Sequence, residues 1–399
     1  MSEQVAFDFK NQQLIKWARL FMIAAGAWDL PISKNPILQA LFKIYCIFMK
    51  FAYALFFLML LGETIRLIMY HYELPIIIAN IGVFFNATKI AVKMIIYVKY
   101  NITDLFREII VKEKLIWESE NEEIITMYRK KIVVCSVYGI SIAAGTLSTI
   151  AFLELYGAYL IVQMAKMNVG NETIESHIMY QTLIPLNKLD HVKTLFLTQI
   201  VWSWSGGTCN TMTHGVYITL LVYASTQLQM LQIRFKHCVE EDFDGSNMQE
   251  KIDFLKDLIK EHQHIINFIK FLNESTKYIL MIEYILSSMD IASVSANLIK
   301  MEASELMWLT CFLVLLVLQI SLLAWICNEI KVQSEEIGNA LYQSRWYLLN
   351  KEALMLTQFV ITRAKIPLVL TIGPFAAMTN GSALTVFKAA YSYVSIMTK

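Results

Sequence analysis

Residues 307–326 read MWLTCFLVLLVLQISLLAWI, a run without a single charge. A helix needs roughly 20 mostly apolar residues to cross a bilayer, where its backbone must bond to itself. No other feature narrows the possible folds as much. Six further segments have similar length and character: 44–61, 75–98, 132–153, 195–224, 278–298 and 366–397. With 306–326 they make seven expected spans. Composition agrees, since 56% of the residues are hydrophobic and only 17% are charged, against about 25% charged in soluble domains. The 22 Phe, 19 Tyr and 8 Trp against 6 Pro and 14 Gly argue against disorder. A net charge of +1 gives no field for a nucleic-acid partner. The expected fold class is an all-α membrane protein with seven transmembrane helices.

Between the spans the chain stays helical. Segments 103–131, 227–277 and 334–365 alternate charged and apolar residues at helical spacing, as in Ile252, Leu255, Ile259, His262 and Ile266. Long helices are expected to run past the bilayer and pack in water. Seven spans put the termini on opposite sides. Of 34 Lys and Arg, 25 fall on the N-terminal side and 6 on the other, which favours a cytoplasmic N-terminus by the positive-inside rule. The sequon Asn171-Glu-Thr173 then lies outside as a glycosylation candidate, while Asn101 and Asn273 lie inside.

Several chemistries are missing. There is no Walker A loop, GxGxxG, GxSxG or HExxH, so no enzyme and no cofactor are expected. The six cysteines suggest neither a disulfide framework nor a zinc site, and no cleaved signal is read at the N-terminus. His262 and His264 diverge on a helix and read as exposed surface. Lys89 and Lys93 in the second span and His214 in the fourth mark helices not lipid-exposed all round. Asp290 in the fifth span reads as a polar helix–helix contact.

The last segment carries the most information. Pro367, Gly373, Pro374, Asn380 and Gly381 predict a break near 378–381, followed by one short helix. In that helix Thr385, Lys388, Ser392, Ser395 and Lys399 recur at spacings of 3, 4, 3 and 4. Lipid penalises such a stripe, so it should face protein or water. A pore wall built from several copies and a seam buried within one chain both satisfy that demand.

The end of the chain resembles the C-terminal signature of insect odorant receptors. The resemblance rests on Phe387, Lys388, Ala389, Ala390, Tyr391, Ser392 and Tyr393, with Tyr342, Trp346, Tyr347, Arg363, Ala364, Lys365 and Pro367 upstream. It implies a ligand-gated cation channel of inverted topology, in the plasma membrane of olfactory sensory neurons. An odorant-tuning subunit would join a co-receptor in a heterotetramer around one pore. It further implies a cytoplasmic segment at 1–43 and six helices with a pocket for a small volatile over 44–330. An anchor segment at 331–379 and a pore-lining helix at 380–399 would follow. Ile396 would be the hydrophobic gate, and Lys388 would turn off the axis towards Tyr391. The chain looks like the tuning subunit because it lacks the co-receptor's long second intracellular insertion.

With a pocket implied, helix faces nominate its lining: Asn80, Val83 and Phe84; Ala144, Ser148, Thr149 and Phe152; Trp202, Gly206, Cys209 and Thr213; Tyr284 and Ser288. An aromatic cavity with few polar anchors suits a neutral volatile. Three rivals remain: a gustatory-type channel, a G-protein-coupled receptor and a transporter. The second would need an external N-terminus, and no Asp-Arg-Tyr or Asn-Pro-x-x-Tyr motif ends spans three and seven. The third lacks repeat symmetry.

Overall fold

The computed structural model describes residues 12–72, 74–100, 102–119, 121–167, 179–184, 190–239, 248–300 and 303–397. Ten α-helices hold most of them: α1 (Lys16–Ala24), α2 (Pro36–Met69), α3 (Leu74–Lys99), α4 (Ile102–Trp117), α5 (Glu122–Met167), α6 (Val192–Lys236), α7 (Met248–Lys300), α8 (Ala303–Gln343), α9 (Lys351–Ala364) and α10 (Asn380–Met397). A small antiparallel hairpin, β1 (Thr371–Ile372) with β2 (Ala376–Ala377), precedes α10.

Local sequence sets several ends. Asn35 caps α2 by accepting the Ile37 N–H at 3.0 Å, with Pro36 in the first turn where its missing donor costs nothing. Asn350 caps α9 through the Ala353 N–H, also at 3.0 Å. At about 1.5 Å per residue, the 46 residues of α5 and the 53 of α7 far exceed the roughly 30 Å of bilayer hydrocarbon. The helices therefore continue beyond the membrane, as their charged, periodic ends predicted.

Five helices are long and apolar enough to cross a membrane by composition: α2, α3, α5, α7 and α8. The expected fourth span, α6, stands at the centre of the bundle and is buried without interruption from Thr211 to Leu228. A helix wrapped by protein does not need a lipid-facing surface, so it can carry Thr211, Thr213, His214, Thr219, Ser225, Thr226 and Gln227. Thr219 and Thr226 return their hydroxyls to carbonyls four residues back, Gly215 and Val222. The short helix α1 docks against this column and against α5, with Phe21 over Gly215 and Trp17 over Gly139. A Cβ at Gly215 would come within 2.5 Å of the Phe21 ring.

Two expectations change. Segment 366–397 is not helical throughout. Helix begins only at Asn380, and the preceding residues form the hairpin. Pro367 and Pro374 lack a donor, and Gly373 takes a left-handed φ of +56°. The hairpin is fastened to α7, where Asn273 Oδ1 accepts the Thr371 N–H at 2.8 Å and the Lys277 carbonyl accepts the Gly373 N–H at 2.9 Å. His262 is not surface: it is 5% exposed, whereas His264 faces outward beside Glu108. Asp290 makes the expected polar helix–helix contact, as half of a buried ion pair with Lys89 on α3.

Candidate functional site

Residues 179–184 fold down onto one end of the bundle. The Leu183 N–H reaches the Met59 carbonyl at 3.1 Å. Gln199 Oε1 accepts the Met179 N–H at 3.0 Å, and Asn80 Nδ2 donates to the Gln181 carbonyl at 2.9 Å. Asn80 is itself held by Thr64 at 2.6 Å. Under this cover lies an aromatic cluster of Phe56, Leu60, Ala87 and Trp202, with Phe57, Phe84, Tyr180 and Ile184 packed on it. Phe56 meets Tyr180 edge-on at 5.3 Å and Trp202 at 5.6 Å between centroids, and Phe57 lies 5.5 Å from Phe84. Ser203 hydrogen-bonds the Tyr180 hydroxyl at 3.2 Å. One turn beyond Trp202, the half-buried Gly206 has nothing within 4 Å of where a Cβ would stand.

Of the residues nominated from helix faces, Asn80, Phe84, Trp202 and Gly206 gather at this end. Cys209 is buried in the main core. Ser148, Thr149 and Phe152 are half-buried on α5, and Ala144 is exposed there. The Ser148 and Thr149 hydroxyls are spent on the Gly145 carbonyl at 3.0 and 2.8 Å. Val83 points outward. Thr213 lies at a different level: its carbonyl accepts from Tyr97, and it lines a cavity with Lys93, His214, Tyr217 and Glu283. At about 20 Å³ that cavity has room for a water but not for a volatile. Tyr284 turns to α10, 3.2 Å from Ser382 Oγ, and Ser288 bonds its own helix at the Ile285 carbonyl.

Sequence reasoning missed Phe56 and Tyr180. No motif marks them, because their roles come from the fold-back of 179–184. Glu154 Oε1, Thr182 Oγ1 and Trp308 Nε1 are buried near this end without hydrogen-bond partners, and Trp308 packs with Leu153, Met179 and Tyr180. Buried orphans of this kind suit a guest or an ordered water.

The last helix has two faces. Ala383, Val386 and Ala390 are buried against α7 and α8, whereas Thr385, Lys388 and Ser392 are exposed in the single chain. At 100° per residue the polar edge lies nearly opposite the buried one. Ser395 is half-buried. Thr385 and Ser392 satisfy their hydroxyls on the Gly381 and Lys388 carbonyls. Lys388 and Tyr391 are both exposed. Ile396 lies in the backbone of α10, but its side chain, Lys399 and Asn171 fall outside the described residues.

Residues 76–391 match the sequence profile described as 7tm Odorant receptor. Odorant receptor 10 of Aedes albopictus is 22% identical over 205 residues, which is 51% of this chain and 54% of that protein. Odorant receptor Or2 of Anopheles gambiae is 23% identical over 186 residues, 45% of this chain and 49% of that protein. The chain spans about half the length of the curated relatives it matches. In fold it resembles the insect olfactory receptor OR5 of Machilis hrabei, solved in complex with eugenol, with a TM-score of 0.78 at 13% identity over 97% of this chain and 99% of that one. With most of its length inside that profile and several membrane-crossing helices, the chain belongs to the 7tm odorant receptor family, multi-pass membrane proteins of insects.

Proposed function

We propose that this chain is the odorant-binding subunit of a ligand-gated, non-selective cation channel. It assembles with a co-receptor into a tetramer, with its N-terminus inside the cell and α10 lining a shared pore. A small neutral volatile binds among Phe84, Trp202, Gly206 and Asn80, beneath Tyr180. The exposed polar edge of α10 carries this reading. At membrane depth such an edge needs water or another chain beside it, and its own protomer leaves it uncovered. In this reading Ile396 closes the path by dewetting when no ligand is bound. The bound volatile opens it only by its higher affinity for the open arrangement.

Co-expression with an insect odorant co-receptor and a panel of volatiles tests this. Cation currents that persist when G-protein signalling is blocked are expected, together with an N-terminal epitope that stains only after permeabilisation. Staining of intact cells, or currents abolished by the block, would contradict it.

A further inference from the structure

Four charged side chains lie among the spanning helices, away from the aromatic cluster. Lys89 Nζ sits 2.7 Å from Asp290 Oδ2, and Lys93 Nζ sits 2.7 Å from Glu283. All four side chains are less than a tenth exposed. His214 Nε2 joins the second pair at 3.1 Å from Lys93 Nζ and 3.3 Å from Glu283 Oε1. Stability is a poor reason to keep such pairs. Desolvation consumes most of their attraction, and apolar residues of like size would hold α3 to α7 at least as well. What an ion pair adds is a directional link that resists sliding.

The two helices joined in this way lead to different places. α3 carries Phe84, against Phe57 in the aromatic cluster, five residues before Lys89. α7 carries Tyr284 directly after Glu283, and the Tyr284 hydroxyl meets Ser382 Oγ. Ser382 in turn accepts the Thr379 N–H at 2.9 Å at the start of α10. Asn273 and Lys277, further back on α7, hold the hairpin that leads into α10. A continuous set of polar links therefore runs from beside the pocket to the base of the last helix.

We propose that Lys89–Asp290 and Lys93–Glu283 transmit pocket occupancy to α10. The pairs make α3 and α7 move as one body, and α7 carries the first turn of α10 through Tyr284 and Ser382. These four are positioning residues, since none touches the volatile. The inference rests on the channel reading above and adds the route by which the pocket reaches the pore.

The test uses the full complex with the co-receptor and the panel volatile that evokes the largest current from the unaltered protein. Two double variants are compared: Lys93→Met with Glu283→Met, and the exchange Lys93→Glu with Glu283→Lys. Surface labelling reports folding, and the rise in melting temperature with the volatile reports binding. The apolar double variant is expected to reach the surface and bind, yet lose about tenfold of its maximal current, within the usual range of allosteric coupling. The exchange variant should recover at least half of that loss. If the apolar double variant does not reach the surface, Glu283→Gln, which keeps size and one hydrogen bond, is judged on the same readouts. An unchanged maximal current with normal surface amount would overturn the coupling while leaving the channel reading intact. No volatile-evoked current from the unaltered complex would overturn both.

Discussion

The central helix α6 and the terminal helix α10 both carry polar side chains through a membrane protein, and the chain treats them oppositely. In α6 the polar residues are enclosed. Thr219 and Thr226 bond their own helix, Thr211 bonds Thr146 at 2.9 Å, and His214 sits against the Lys93–Glu283 pair. In α10 the hydroxyls of Thr385 and Ser392 are also satisfied locally, yet the edge that bears them stays uncovered. Polar residues alone therefore do not mark a conduit. Those that the fold leaves open support the proposed conduit, because at membrane depth some other surface must meet them.

The contrast can be broken by mutation, and the largest effects should fall on α6. Leu221 is fully buried, so Leu221→Ala should cost about 2–5 kcal/mol by transfer and cavity terms. It should appear as a marked fall in the melting temperature of detergent-solubilised protein. Leu384 on the open side of α10 should cost under about 0.5 kcal/mol on the same change. Equal losses at the two sites would remove the distinction.

Trp202→Ala at the pocket end of α6 should weaken volatile sensitivity by about tenfold or more. That corresponds to the roughly 1.5–3 kcal/mol carried by a large buried apolar side chain. Concentration–response curves at matched surface amount would show it, and an unchanged midpoint would move the pocket elsewhere.

A titration tests burial on a helix beyond the spans, at His262. Burial, aided by nearby Arg363, pushes His262 down to about 4 from its ordinary 6.5. Its folded pKa lies below its unfolded one, so its stabilising contribution is complete above about pH 6.5 and is lost as pH falls towards 4. Melting temperature should fall as pH is lowered through that window, and His262→Gln should flatten the slope. A slope that His262→Gln leaves unchanged would place its origin in other groups.

The smallest stability effect with the sharpest functional one is expected at Ser392→Leu. Melting temperature should stay within error, because the residue is exposed, while evoked current falls as the pore wall becomes apolar.

Much of this was legible in the sequence, for reasons of periodicity. Apolar length located α2, α3, α5, α7 and α8, and the 3-4-3-4 spacing located the polar edge of α10 before any neighbour was known. The hairpin before α10 was not legible, because its bonds go to Asn273 and Lys277, nearly a hundred residues away. The nine-residue α1 was too short to show a period. The ion pairs left a partial trace: Lys89 and Lys93 are four apart and Glu283 and Asp290 seven apart, each set on one helix face. Pairing them required knowing that α3 and α7 cross. At the aromatic cluster, Phe84 and Trp202 followed from helix faces, but Tyr180 and Phe56 depend on the fold-back of 179–184, which no local pattern announces.

The central claim is that the polar edge of α10 borders water shared between subunits. Its most direct test compares Ser392→Cys with Ala390→Cys in the complex with the co-receptor, exposed to a small charged thiol reagent during recording. The account predicts rapid modification and a changed current at position 392, with position 390 behaving like the unaltered protein. Equal inertness at the two positions would contradict it.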